Sequence, residues 1–234
     1  MNKIIIACDF NSRQQLMTFL DKFPPKPLFL KLGMELIYGI GFEIINELKK
    51  AGHQIFLDLK LHDIPITIHK ALIALNQYQV DFLTIHLTSG RQALEKAQEI
   101  SKSTGTKLLG VTVLTSLDDE DLQEIFGCQT LTSEQLVMNL ASLAVEYDFY
   151  GVICSPHEVQ MIKRTYHQLK TITPGIQMRG QETDQKRTTT VKATQQLGAD
   201  YLVVGRAITL ADNPYQVYQE MTAQFLEKER VENE

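Results

Sequence analysis

The chain has 234 residues, 44% of them hydrophobic and 22% charged, with a formal net charge of −5. That size and apolar fraction suit a single domain with a sizeable core, with only the polar tail "EKERVENE" expected to fray from about residue 228. Net acidity without a basic stripe excludes non-specific nucleic-acid binding, and no apolar stretch is long enough to cross a bilayer.

Taken in order, the chain alternates short apolar runs with amphipathic segments. "MNKIIIACDF" carries an apolar run too short for a signal peptide and reads as a first strand. "LFLKLG" from Leu28, "QIFLDLK" from Gln54, "VDFLTIH" from Val80 and "KLLGVTVL" from Lys107 follow at nearly even intervals. "YGVICS" from Tyr150, "LKTITPG" from Leu169 and "YLVVG" from Tyr201 bring the count to eight. Between them lie helical patterns such as "GFEIINELKKAG", in which Phe42, Ile45 and Leu48 share a face and Gly52 ends the helix. Eight buried strands alternating with helices predict a closed (β/α)8 TIM barrel over an open doubly wound sheet. The spacing breaks once, where "TSLDDEDLQEIFGCQTLTSEQ" reads as a long loop ahead of the helix "LVMNLASLAVEYD". Cys8, Cys128 and Cys154 have no paired spacing, which predicts three reduced thiols and a cytoplasmic protein.

In such a barrel, chemistry sits at the C-terminal ends of the strands. Here those ends supply Asp9, Lys31, Asp58 with Lys60, His86, Thr115, Ser155, the "TPG" from Thr173 to Gly175, and Gly205 with Arg206. Singly, each could be an ordinary rim residue; together they gather polar groups around one mouth. The last two ends suit phosphate, through backbone amides at Gly175, Gly180 and Gly205 and charge from Arg179 or Arg206. Gly180 reads equally as a plain turn residue.

"DLKLHDIPIT", from Asp58 to Thr67, is the sharpest signal. Strand alternation sends Asp58 and Lys60 to one face and Leu57, Leu59 and Leu61 to the other. A lysine flanked by two carboxylates stays protonated, which suits a proton donor and not an imine-forming nucleophile. Two other readings stand beside it: a merely structural ion-pair cluster, and a metal site of Asp58, His62 and Asp63. Lys31 on the neighbouring strand weighs against the metal, since a divalent ion would want a carboxylate there. His53, His69, His157 and His167 read as capping or solvated, and His86 as lining the pocket or hydrogen-bonded in the core.

At this stretch the chain resembles the orotidine 5′-phosphate decarboxylases, whose pattern D-x-K-x-x-D-I-x-x-T it matches with Asp58, Lys60, Asp63, Ile64 and Thr67. "LKLGMEL", "VTVLTS", "VICSPHE", "TPGI", "DQKR" and "VGRAIT" followed by "DNP" extend the resemblance to bacterial members over essentially the whole chain. The resemblance implies a homodimer that converts orotidine 5′-monophosphate to uridine 5′-monophosphate and carbon dioxide without metal or organic cofactor. By similarity Lys31, Asp58, Lys60 and Asp63 form the charged array, and Lys60 protonates carbon 6. Asp63, Ile64 and Thr67 complete the partner's site. Asp9 and Lys31 hold the ribose, Thr115 contacts the pyrimidine, Pro174 lies with the substrate, and Gln185, Arg206 and the Gly205 amide hold the phosphate. One departure is Gln177, where bacterial members usually carry arginine. Arg179 stands two residues on as its substitute, so altered phosphate contacts are expected without loss of the reaction.

Two rival readings remain open on sequence. One is a magnesium-dependent decarboxylase of keto-sugar phosphates with a similar D-x-K-x-x-D element, which places glutamate where this chain has Lys31. The other is a non-catalytic barrel that binds uridine 5′-monophosphate as a sensor.

Overall fold

A computed structural model describes residues 2–177 and 189–231, with side chains through residue 226. The eight predicted strands form as β1 (Ile4–Ala7), β2 (Phe29–Gly33), β3 (Gln54–Leu61), β4 (Phe82–His86), β5 (Lys107–Val111), β6 (Gly151–Ile153), β7 (Lys170–Thr173) and β8 (Tyr201–Val204). Each pairs in parallel with the next, and β8 returns to β1 through Ile4 opposite Leu202 and Ile6 opposite Val204. The fold is a closed (β/α)8 TIM barrel. A separate two-stranded piece pairs Ile176–Gln177 with Thr189–Thr190 at the mouth after β7.

Eleven α-helices are present among the described residues: α1 (Arg13–Leu20), α2 (Met34–Ile40), α3 (Glu43–Lys50), α4 (Pro65–Leu75), α5 (Arg91–Thr104), α6 (Asp119–Phe126), α7 (Ser133–Glu146), α8 (Pro156–Thr165), α9 (Val191–Gln196), α10 (Arg206–Thr209) and α11 (Pro214–Val231). The α3 pattern holds: Ile44, Ile45 and Leu48 are buried, Phe42 packs on the core, and the turn beyond the helix uses Gly52 at φ +86°. The expected loop after β5 is different. It contains α6, opened by a reciprocal cap in which Asp118 accepts from the Asp121 N–H and Asp121 accepts from the Asp118 N–H. Only Leu122 of α6 is buried, so its apolar stripe is too thin to show a helical period. The next helix also starts earlier than expected, because Thr132 and Gln135 form a second such box. At the other end of the chain, α11 carries the helix on to Val231, into the tail expected to fray.

Side chains from the strands divide into two apolar layers. One row, including Ile4, Ile6, Leu30, Leu32, Leu57 and Leu83, packs outward against the helices. The alternate row, including Ile5, Phe29, Phe56, Phe82, Ile172 and Tyr201, fills the barrel. Its aromatic rings touch edge to face, with Phe29 and Phe82 centroids 4.9 Å apart and Phe82 and Tyr201 5.5 Å apart. Approach between β6 and β7 is close enough that a Cβ on Gly151 would run into the Lys170 carbonyl oxygen and the Ile172 side chain.

At the N-terminal end two aspartates act as matched latches. Asp81, before β4, accepts from Lys49 Nζ of α3 at 2.9 Å and from the Ile55 N–H of β3 at 2.8 Å. Asp200, before β8, accepts from Lys163 Nζ of α8 at 3.0 Å, Lys170 Nζ at 2.9 Å and the Thr171 N–H of β7 at 3.0 Å.

Candidate active site

The inward row changes chemistry as each strand rises. Phe29 is followed two residues on by Lys31, Phe56 by Asp58, Phe82 by Thr84, Ala7 by Asp9 and Val203 by Gly205. Above the aromatic floor opens a cavity of about 660 Å³, lined by Asp9, Lys31, Asp58, Lys60, Thr115 and Arg206 among others. Pro174 and Gln177 also line it, as does Gly205. The volume suits a small organic ligand.

Four charges run across the cavity base in alternating sign. Lys31 Nζ lies 3.0 Å from Asp9 Oδ1 and 3.7 Å from Asp58 Oδ2, and Lys60 Nζ donates to the same Asp58 oxygen at 2.8 Å. Burial pushes the Asp58 carboxyl up, but Lys31 and Lys60, with hydrogen bonds from Lys60 and Thr84, outweigh it and hold the group below its ordinary value. Burial likewise pushes the Lys31 ammonium down, and Asp58 and Asp9 reverse this to a net upward shift. Cys8, behind this row, is pushed up to about 12 by burial.

The expected flanking of Lys60 by two carboxylates within one chain is not what forms. One carboxylate, Asp58, is flanked by two lysines. Beyond Leu61 the strand ends, and Asp63 turns away on the approach to α4, where its Oδ1 accepts from the Ile64 N–H at 2.7 Å. Asp63, Ile64 and Thr67 are exposed and stand outside the residues lining this chain's cavity, Ile64 being 62% exposed. The donor set of the metal reading, Asp58 with His62 and Asp63, is not gathered among the described residues. His62 instead lies against His86, with ring centroids 5.2 Å apart. Burial, helped by His62 and Lys60, holds the His86 imidazole below its ordinary pKa, so it is neutral near pH 7. Ser155 is fully buried under the start of α8, where its N–H donates to Glu158, and it does not line the cavity. Arg179, Gly180 and Gln185 lie outside the described residues.

Sequence reasoning missed Thr84 and Glu35. Alternation along "FLTIH" could have shown Thr84 on the inward row between Phe82 and His86. Glu35, in the first turn of α2, lines the cavity close to Lys31 in sequence and had no periodic signal to mark it.

A family model described as "Orotidine 5′-phosphate decarboxylase / HUMPS family" matches residues 2–221. The chain belongs to this family. Among named relatives, the orotidine 5′-phosphate decarboxylase of Streptococcus gordonii is 43% identical over 224 residues, covering 94% of this chain and 96% of the relative. That of Staphylococcus haemolyticus is 42% identical over 226 residues, covering 95% and 97%. The crystal structure of the Lactobacillus acidophilus orotidine 5′-phosphate decarboxylase superposes with a TM-score of 0.85 at 35% identity, covering 96% of this chain and 99% of that one. Membership identifies an enzyme of the decarboxylase family on a TIM barrel. No helix among the described residues is long and apolar enough to cross a membrane.

Proposed function

We propose that the chain decarboxylates orotidine 5′-monophosphate to uridine 5′-monophosphate, the last step of de novo UMP synthesis, with Lys60 as the proton donor. The observation that carries this is the Lys60 ammonium 2.8 Å from Asp58 Oδ2, with Lys31 3.7 Å from the same oxygen, at the base of the cavity. As the bond from carbon 6 to the carboxylate breaks, its electron pair stays on carbon 6 and carbon dioxide leaves. The positive charges of Lys60 and Lys31, already fixed in place, stabilise that developing carbanion, and one Nζ proton of Lys60 then forms the new C–H bond. Asp58 holds both ammonium groups and stays ionised. Asp9 and Lys31 take the ribose hydroxyls, and Thr115 and Pro174 flank the pyrimidine. Arg206, the Gly205 amide and Gln185 take the phosphate, with Gln177 or Arg179 where relatives carry arginine. Phosphate contacts far from carbon 6 supply binding energy that can be realised at the transition state. The reaction asks for no metal or organic cofactor.

A second subunit completes this reading. Ile64, Ile66 and Ile73 are 62%, 50% and 54% exposed, and Ile66 and Ile73 lie two turns apart on one face of α4. An apolar face of this kind suits a second copy of the chain, which would bring Asp63, Ile64 and Thr67 to the partner's cavity. The three cysteines are unpaired, the state that a reducing cytoplasm maintains.

Ultraviolet absorbance of orotidine 5′-monophosphate, followed with purified protein in excess EDTA, tests the reading. Turnover is expected, and Lys60→Ala should lower kcat by at least about 10²-fold, the lower bound for a lost general acid. Retained turnover in Lys60→Ala would remove that residue from the chemistry. Absence of turnover by the native protein, with EDTA or with magnesium, would move the search to keto-sugar phosphates.

A further inference from the structure

Lys60 stands at φ +49°, in the left-handed region that a lysine rarely adopts. The reason lies in the pairing of β3 with β4. Leu57 is opposite Leu83, and the next matched pair is Leu61 with Ile85, so four steps on β3 face two on β4. The surplus is taken up around Lys60, whose N–H loses its ladder partner there. Thr84, fully buried and lying between Leu83 and Ile85, supplies the substitute. Its Oγ1 accepts from the Lys60 N–H at 2.8 Å and donates its one proton to Asp58 Oδ1 at 3.0 Å. The other oxygen of that carboxylate holds Lys60 Nζ. Backbone N–H, threonine hydroxyl, carboxylate and ammonium therefore form a closed ring of contacts that returns to the residue where it began.

We propose that Thr84 is a positioning residue of this site: its hydroxyl fixes the Lys60 backbone in the left-handed conformation and sets the rotation of the Asp58 carboxylate, so that the ammonium faces the cavity. The inference rests on Lys60 and Asp58 being the reacting pair. Strained backbone is retained where surrounding groups over-determine it, and a single hydroxyl that satisfies both ends of the strained turn does this. Without it, the part-buried Lys60 N–H loses its acceptor, and Asp58 can turn about its last torsion. Thr84 touches no part of the proposed reaction and acts only through its two neighbours.

Thr84→Val keeps the shape and removes the hydroxyl; Thr84→Ser keeps the hydroxyl and removes the methyl. In Thr84→Val, kcat should fall about tenfold to hundredfold while the Kd for uridine 5′-monophosphate stays within about twofold, as displacement of about 1 Å at a reacting group requires. Thr84→Ser should recover most of the lost kcat. Asp58 must remain ionised, and one of the hydrogen bonds holding its carboxyl down is gone in Thr84→Val, so the acid limb of the kcat/KM profile should move to higher pH. A kcat within twofold of native in Thr84→Val overturns the proposal, and so does a loss equally deep in Thr84→Ser. If Thr84→Val does not fold, Thr84→Ala, which also lacks the hydroxyl, replaces it, and native kcat there is equally fatal. Activity surviving in a parallel Lys60→Ala would instead sink the underlying reading.

Discussion

Replacing Asp200 by asparagine should lower stability while leaving catalysis intact. The Asp200 side chain is 12% exposed and receives two ammonium groups and one backbone N–H. Lys163 is 21% exposed and donates at 3.0 Å; a charge-assisted bond of this kind contributes about 1.5–3 kcal/mol, against about 0.5–1.5 kcal/mol for a neutral one. Lys170 is 40% exposed, so solvent screening leaves it no more than about 0.5 kcal/mol. Lys163 and the Thr171 N–H share Oδ2, so an asparagine oxygen placed there still accepts from both. What is lost is the carboxylate charge in the Lys163 bond and the Lys170 contact, about 1–2 kcal/mol, which for a chain of this size lowers Tm by about 2–8 °C. Burial pushes the Asp200 carboxyl up, but the bonds from Lys170, Thr171 and Lys163 bring it below its ordinary value. A depressed carboxyl stabilises above its unfolded pKa, about 3.9, and that stabilisation is lost as pH falls through the folded value. Differential scanning calorimetry at fixed protein concentration should therefore show the full gap between native and variant at pH 7 and a gap that narrows progressively as pH falls below about 4. Equal Tm values at pH 7, a gap that does not narrow as pH falls below about 4, or a fall in kcat in the variant would refute the reasoning.

The cysteines offer a second check. Cys8 and Cys154 are fully buried, their thiols pushed up by burial, to about 12 for Cys8, whereas Cys128 is exposed. A disulfide reagent such as Ellman's should modify one thiol per native chain quickly and three after denaturation; fast modification of a second would place a strand thiol within reach of solvent. The dimer reading makes its own demand. Ile73→Glu puts a charge on the exposed face of α4, so sedimentation should shift toward monomer and activity should fall as the partner's Asp63 is withdrawn. An unchanged sedimentation coefficient would mean that the subunits meet elsewhere.

Alternation made much of the site readable before any coordinates. Lys31 and Asp58 are two residues beyond Phe29 and Phe56, and period two in a parallel strand puts such pairs on one face. The same rule placed Lys60 correctly, but nothing in the letter K announces a positive φ, which in most chains is marked by glycine or asparagine. Asp63 was not legible in direction because the strand stops at Leu61, and beyond a strand end the period carries no information. The α6 helix escaped because its evidence lies in a cap, Asp118 with Asp121, and not in a repeating apolar face. Ser155 illustrates the opposite case: a polar residue after a strand reads as facing the mouth, although Pro156 and Glu158 beside it mark a helix start.

The inward row passes from aromatic to charged within one step of two residues, roughly 6.6 Å along the strand. A slip of one residue in any strand would therefore do more than expose apolar surface. On β1 it would bring Cys8 inward in place of Asp9, and on β2 it would bring Leu32 inward in place of Lys31. A misregistered barrel could be compact, yet it would have oil where the chemistry needs charge. For this chain, correct strand alignment and catalytic competence are one specification, and any screen that rewards turnover also proofreads the folding of the barrel.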